Sequence, residues 1–252
     1  MPFFILSVLM QVALVIHVVK TGRNTTWIWI IVMLPLAGAI AYLILEVLPG
    51  ASNSRTGKKA AKKVQDIINP DRDINRAASD YSAADTVQNS MALARQCLHR
   101  NMFQEAKGLY QKCLKGPYAN DPDLMFGLAS AEFGLNDFAA TRQTLDRLIA
   151  ENPDYKNQDA HLLYARALEG LGDRAAAQHE YETLYTYFTG PQAMFHFALF
   201  LKGQGETARA KALFSEVIEK SKRSGRHFNE LYKDYINKAK AELSGFEAKE
   251  RA

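Results

Sequence analysis

The chain has 252 residues, with 31 Lys and Arg against 27 Asp and Glu, for a formal net charge of +4. Residues 1–50 hold three charges (Lys20, Arg23 and Glu46), residues 51–80 carry a basic surplus of three, and residues 81–252 carry 22 of each sign. This excludes a basic nucleic-acid-binding domain, which needs a positive face on its folded part, and two cysteines exclude a disulfide framework.

Residues 3–19 are apolar except for Ser7, Gln11 and His17, and residues 27–48 carry only Glu46 as a charge. A helix needs about 20 apolar residues to cross the hydrocarbon core. The second run meets that length, and the first is near the lower limit. A short loop after Lys20 joins them, and Pro49-Gly50 ends the second. A transmembrane helical hairpin is therefore expected over residues 1–50. No basic n-region precedes Phe3, and residues 17–20 (HVVK) do not form a cleavage site, which disfavours a removed signal peptide. Five basic residues follow the second run (Arg55, Lys58, Lys59, Lys62, Lys63) and two lie in the loop, so both ends are expected in the cytoplasm.

Ala37, Gly38 and Ala41 let helices approach closely. They suit packing between the two spans, with a homo-oligomer as the alternative. Gln11, His17 and Glu46 are polar groups at or near membrane depth, and the two outer ones reach water. The pattern Trp27-x-Trp29, Pro35-x-x-Gly38-x-x-x-Tyr42 resembles the N-terminal two-helix membrane domain of cardiolipin synthases and other phospholipase D-like proteins. That resemblance implies an anchor. It does not extend to catalysis, because no His has a Lys two residues on, the pair on which that chemistry depends.

Residues 51–86 form a basic juxtamembrane segment and tether. Lys58, Lys59, Lys62 and Lys63 fall opposite Ala60, Ala61, Val64, Ile67 and Ile68, a pattern that suits either a helix lying on anionic lipid or a solvated flank. Asn69-Pro70-Asp71 ends any such helix, and residues 71–85 are expected as a flexible tether.

Four units then repeat at intervals of 35, 36 and 33 residues, aligned on Ala106, Thr141, Ala177 and Ala210 early in each second helix. The period is about 34 residues. The turns are Asn101-Met102-Phe103, Asn136-Asp137-Phe138, Gly172-Asp173 and Gly205-Glu206, with Asn or Gly at the position needing positive φ. The pattern over residues 87–224 resembles the tetratricopeptide repeat family, with Pro117 displaced and Thr141 in place of alanine. Phe228, Leu231, Tyr232, Tyr235, Ile236, Ala239 and Leu243 form a stripe, so residues 225–252 are expected to cap the solenoid.

Candidate chemistry is sparse. Gly57-Lys58-Lys59 lacks P-loop spacing, His179-Glu180 lacks a second His four residues after the first, and no Cys/His cluster has zinc spacing. Cys97 and Cys113 fall at core positions of the first unit. No catalytic residue, metal or cofactor is expected. The family resemblance implies instead a concave groove lined by first-helix positions. These are Met91, Arg95 and Leu98, then Phe126, Ser130 and Phe133, then Leu162, Arg166 and Glu169, then Phe195, Leu199 and Lys202. Aromatic anchors with two Arg suit a protein partner presenting a helix or extended peptide. The fold expected is all-α, a membrane hairpin followed by a cytosolic α-solenoid. The expected function is a non-enzymatic, membrane-anchored scaffold on a bacterial-type inner membrane, binding protein and membrane lipid but no nucleic acid. An anionic-lipid-responsive regulator and an accessory subunit of a membrane enzyme are the alternatives.

Overall fold

A computed structural model describes residues 2–20, 25–34, 42 and 71–251. The expected basic helix with Lys58, Lys59, Lys62 and Lys63 lies outside the described residues, as do Ala37, Gly38, Ala41 and Glu46. The chain divides into two compact units, residues 1–73 and 74–252.

In the first unit, α1 (Pro2–Lys20) and α2 (Thr26–Met33) pack together. Val18, Ile31 and Tyr42 are buried. Two of the polar residues flagged from sequence have partners. Gln11 donates to the Ile31 carbonyl at 3.0 Å, and the His17 ring nitrogen Nδ1 lies 2.9 Å from the Tyr42 hydroxyl. Trp27 stands edge-on to Tyr42, 5.4 Å between ring centres. Among the described residues no helix is long and apolar enough to cross a membrane. The second apolar run is described only over Thr26–Met33, at Leu34 and at Tyr42.

Residues 72–83, expected as tether, are helical: α3 is Arg72–Ala83. Ile74, Ala77 and Tyr81 recur at helical spacing among polar neighbours, a stripe too sparse to stand out in composition. Ile74 packs on the core of the first repeat, Ala77 is buried, and Tyr81 accepts a hydrogen bond from Lys112 at 2.8 Å. Lys112 also pairs with Asp85.

The four repeats are helix pairs: α4 (Val87–His99) with α5 (Phe103–Cys113), α6 (Pro122–Gly134) with α7 (Phe138–Glu151), α8 (Gln158–Gly170) with α9 (Arg174–Tyr187), and α10 (Gln192–Gly203) with α11 (Thr207–Arg223). Every pair turns through one left-handed residue, Asn101, Asn136, Gly172 or Gly205, with φ between 57° and 83°. That conformation lets the next amide reach back to a carbonyl the helix would leave unpaired. Met102 N–H bonds Cys97, Asp137 bonds Glu132, Asp173 bonds Leu168 and Glu206 bonds Leu201, at 2.9–3.0 Å. Asp137 and Asp173 then cap α7 and α9 by accepting from Ala140 and Ala176.

Beyond each turn, Ala106, Thr141, Ala177 and Ala210 are fully buried where the paired helices cross. Thr141 fits because its hydroxyl donates to the Asp137 carbonyl at 2.8 Å, so no buried polar group is left unpaired.

A second device joins successive repeats. A Cβ on Gly134 would lie 2.3 Å from the ring of Phe103, and one on Gly170 would lie 2.5 Å from the ring of Phe138. The aromatic that opens one second helix thus lies against the bare backbone of the next first helix. Arg174 replaces that aromatic in the third repeat, and the matching Gly203 has open space.

The expected capping stripe is broken at Tyr232 into α12 (Arg226–Leu231) and α13 (Lys233–Arg251). Leu231 is 63% exposed, whereas Ile236, Ala239 and Phe246 are buried. The break resets the register, so the face that caps α11 is read from residue 236 onward and extends to Phe246.

Gly134→Ala forces its methyl into the Phe103 ring and is expected to cost about 1–3 kcal/mol, the range for overpacking. Gly203→Ala meets nothing and is expected to be neutral or to stabilise by up to about 1 kcal/mol through helix propensity. Urea unfolding followed by helical circular dichroism distinguishes them, and equal effects would remove the aromatic-on-glycine joint as their cause.

Candidate functional site

Successive first helices touch one another, α4 to α6, α6 to α8, α8 to α10 and α10 to α13, more closely than successive second helices do. The first helices therefore lie on the inside of the curve, and α13 takes the place a fifth one would occupy. The inner face is built from positions spaced three or four residues apart on these helices.

Of the residues assigned to this face from sequence, Met91, Leu98, Phe126, Ser130, Phe133, Arg166 and Leu199 are half-buried, and Arg95, Glu169 and Lys202 are exposed. Two do not line it. Leu162 and Phe195 are 7% and 4% exposed and belong to the core. Phe195 is covered because Tyr235 of α13 stands edge-on to it at 5.5 Å, with Phe214 on another side at 5.6 Å. The capping helix also engages Lys202, which pairs with Glu242 at 2.5 Å and lies 5.5 Å from the Phe246 ring centre. The accessible groove is therefore weighted toward the first three repeats and the α8–α10–α13 junction.

The side chains of this face contact one another across the helices. Arg166 lies 4.5 Å over the Phe133 ring, and Phe133 stands edge-on to Phe138 at 5.4 Å. Arg95 lies 3.6 Å from the Met91 sulfur. Tyr235 also meets His196 edge-on at 6.0 Å, with Lys238 5.9 Å from the Tyr235 ring centre. Burial, together with Arg166 and Lys238, pushes the His196 pKa down to about 3, so the ring is neutral at physiological pH. The repeat pattern alone does not assign His196, Tyr235 and Lys238 to this face. The sequence signal for the last two is their spacing, which places both on one side of a helix.

The carboxylates nearby are engaged. The Tyr181 hydroxyl donates to Glu169 at 2.6 Å, and Tyr181 itself is buried between Phe197 and Phe200, which pushes its pKa well above the usual range. Glu132 is buried, accepts from Thr144 at 2.7 Å and lies 3.7 Å from Lys107. Burial raises the pKa of Glu132.

A cleft of about 890 Å³ opens on the other side, between the second and third repeats. Where the second and fourth repeats place Met125 and Leu128, or Met194 and Phe197, the third places His161 and Tyr164. Tyr164 packs against the cores on both sides of the joint, and both side chains line the cleft. The His161 ring nitrogens lie 2.5 Å from Tyr187 and 2.5 Å from Glu180, and Tyr164 donates to Asp146 at 2.8 Å.

Among the described residues no group of three or more His, Cys, Asp or Glu could hold a metal ion. Cys97 and Cys113 are buried free thiols, and burial raises both pKa values, which disfavours the thiolate needed for nucleophilic attack.

Family comparison agrees with this architecture. The phospholipase D-nuclease N-terminal model matches residues 9–46, and the tetratricopeptide repeat model matches residues 123–155 and 192–224, the second and fourth helix pairs. A sequence search of the curated proteins returns no match. Among solved structures, the chain is similar to a thermophilic tetratricopeptide repeat protein of Thermus thermophilus, with TM-score 0.54 and 14% identity over 71% of this chain and 96% of that one. A MamA crystal structure gives TM-score 0.50 and 21% identity over 63% and 94%. A tetratricopeptide repeat protein from Parabacteroides merdae gives TM-score 0.50 and 16% identity over 75% and 76%. At these identities the likeness establishes the fold. The chain has the tetratricopeptide repeat fold, its second and fourth helix pairs match that family's model, and its N-terminal segment resembles the phospholipase D-nuclease N-terminal domain.

Proposed function

We propose that the chain is a membrane-anchored, non-enzymatic scaffold that recruits a protein partner through the inner face of its repeats. The observation that carries this reading is the accessible run of Met91, Phe126, Phe133 and Leu199 with Arg95 and Arg166 on that face. Half-buried aromatics beside Arg are the side chains that dominate binding energy when a partner covers them. Rigid helices hold them in place, so little ordering opposes binding.

The anchor reading is supported by the match over residues 9–46 and by the two apolar runs there. The basic residues after the second run favour the cytoplasmic side of a bacterial-type inner membrane for the repeats. Lys58, Lys59, Lys62 and Lys63 follow the second run closely enough to meet anionic headgroups, at about 1 kcal/mol per basic residue near the surface. Tethering at a surface raises the partner's effective concentration there, which strengthens assembly without new contacts.

Co-purification from membranes in mild detergent identifies the partner, and binding is then measured with the purified pair. Phe126→Ala/Phe133→Ala is expected to weaken binding at least about tenfold, since each lost aromatic anchor is worth on the order of 1–2 kcal/mol. Unchanged affinity would move the partner site off the groove. Removal of residues 1–50 is expected to shift the protein from the membrane to the soluble fraction on cell fractionation. Retention at the membrane would overturn the anchor assignment.

A further inference from the structure

The inner face has an uneven charge distribution. Among the described residues, Arg95, Arg166 and Lys238 have no carboxylate at ion-pair distance and rest instead on Met91, Phe133 and Tyr235. A ring face attracts a cation without neutralising it. Each of these head groups therefore lies beside an apolar surface with its charge not offset by an acid. Of the carboxylates on the same face, Glu242 is offset by Lys202, while Glu169 accepts from the neutral Tyr181 hydroxyl and keeps its charge. His196, within electrostatic reach of both Arg166 and Lys238, stays neutral and adds no charge of its own. With Lys202 and Glu242 offsetting each other, Arg95, Arg166 and Lys238 outnumber Glu169, which leaves a positive surplus beside Phe126 and Phe133 on a set of repeats whose charges sum to zero.

We propose that the groove takes an acidic segment of a partner protein. Its carboxylates sit at Arg166 and Lys238, and its apolar side chains sit on Phe126 and Phe133. The proposal rests on the groove reading above and names the partner's chemistry. Arg166 presents the planar fork that pairs with a carboxylate through two hydrogen bonds, and Lys238 adds a point charge about one helix away. The contact at Phe133 holds the Arg166 guanidinium in place before the partner arrives, which lowers the ordering cost of binding. The order of these groups along α6, α8 and α13 means that a bound segment runs across the helices rather than along one of them.

The test uses the full chain in mild detergent and three fluorescein-labelled decapeptides. Each carries two Leu and two Phe, with Glu, Gln or Lys at the other six positions. Fluorescence anisotropy is expected to rank them Glu over Gln over Lys, with at least about tenfold between the first two, and the advantage is expected to shrink as salt is raised. Arg166→Glu/Lys238→Glu should abolish or reverse the preference for the Glu peptide over the Gln peptide. Arg166→Gln/Lys238→Gln serves in its place if circular dichroism shows that the reversed variant has lost helix. Equal binding of all three peptides, lost in Phe126→Ala/Phe133→Ala, would overturn the acidic assignment while leaving the groove reading intact. A Glu preference untouched by either pair of substitutions would overturn both, because the peptide would then be bound elsewhere. Absence of binding by every peptide would also overturn the acidic assignment.

Discussion

A helix pair of this kind can bury one apolar face against its own partner, but the other face needs a neighbour. That constraint organises residues 87–224. Within a pair, the crossing at Ala106, Thr141, Ala177 and Ala210 works because nothing larger than a methyl or a self-satisfied hydroxyl stands there. The left-handed Asn or Gly at each turn aims the second helix back along the first. Between pairs, the joints are less uniform. Phe103 and Phe138 close the first two against glycine, whereas the third relies on apolar contacts centred on Tyr181, Phe197 and Phe200. At the two open ends, α3 and α13 supply the missing neighbours.

These end helices also decide what the inner face can do. α13 is a cap, yet it sits where a fifth first helix would sit. It therefore withdraws Phe195 and engages Lys202, while adding Tyr235 and Lys238 to the surface. A capping element that closes the solenoid thus reshapes the groove. At the other end α3 meets the first repeat through Ile74 and the Lys112 contacts to Tyr81 and Asp85. The packed part of the solenoid begins before its first repeat.

The repeats are legible from sequence because their signal is redundant. The turn residue, the small residue and the core positions recur together, so the loss of one, as at Thr141, leaves the pattern intact. The features that sequence hides are those that occur once. α3 reads as tether because Ile74, Ala77 and Tyr81 are its only large or buried apolar positions amid charge. The cap's true register is hidden because a kink at Tyr232 is set by local backbone and not by periodicity. Leu162 and Phe195 hold register positions that face inward in the repeat pattern, but burial depends on what the next helix lays over them. Sequence position specifies a direction and cannot specify a cover. The polar joint of His161 and Tyr164 is detectable only by comparing equivalent core positions, where Met, Leu and Phe stand in the neighbouring repeats.

Charge shows the same separation of what sums and what is placed. Residues 81–252 hold equal numbers of each sign, which on a uniform surface would leave no field. The acids are not spread uniformly. Asp121, Asp137 and Asp173 are committed to the first turns of α6, α7 and α9, where helix dipoles favour them. Glu132 and Glu169 are bonded to Thr144 and Tyr181, and Glu180 is held by His161 on the opposite side. Architecture therefore places carboxylates at caps and joints, while Arg95, Arg166 and Lys238 lie over rings and a sulfur on the inner face. A neutral repeat domain acquires a positive groove because its helix-capping acids sit at the turns, and on the inner face the cations outnumber Glu169.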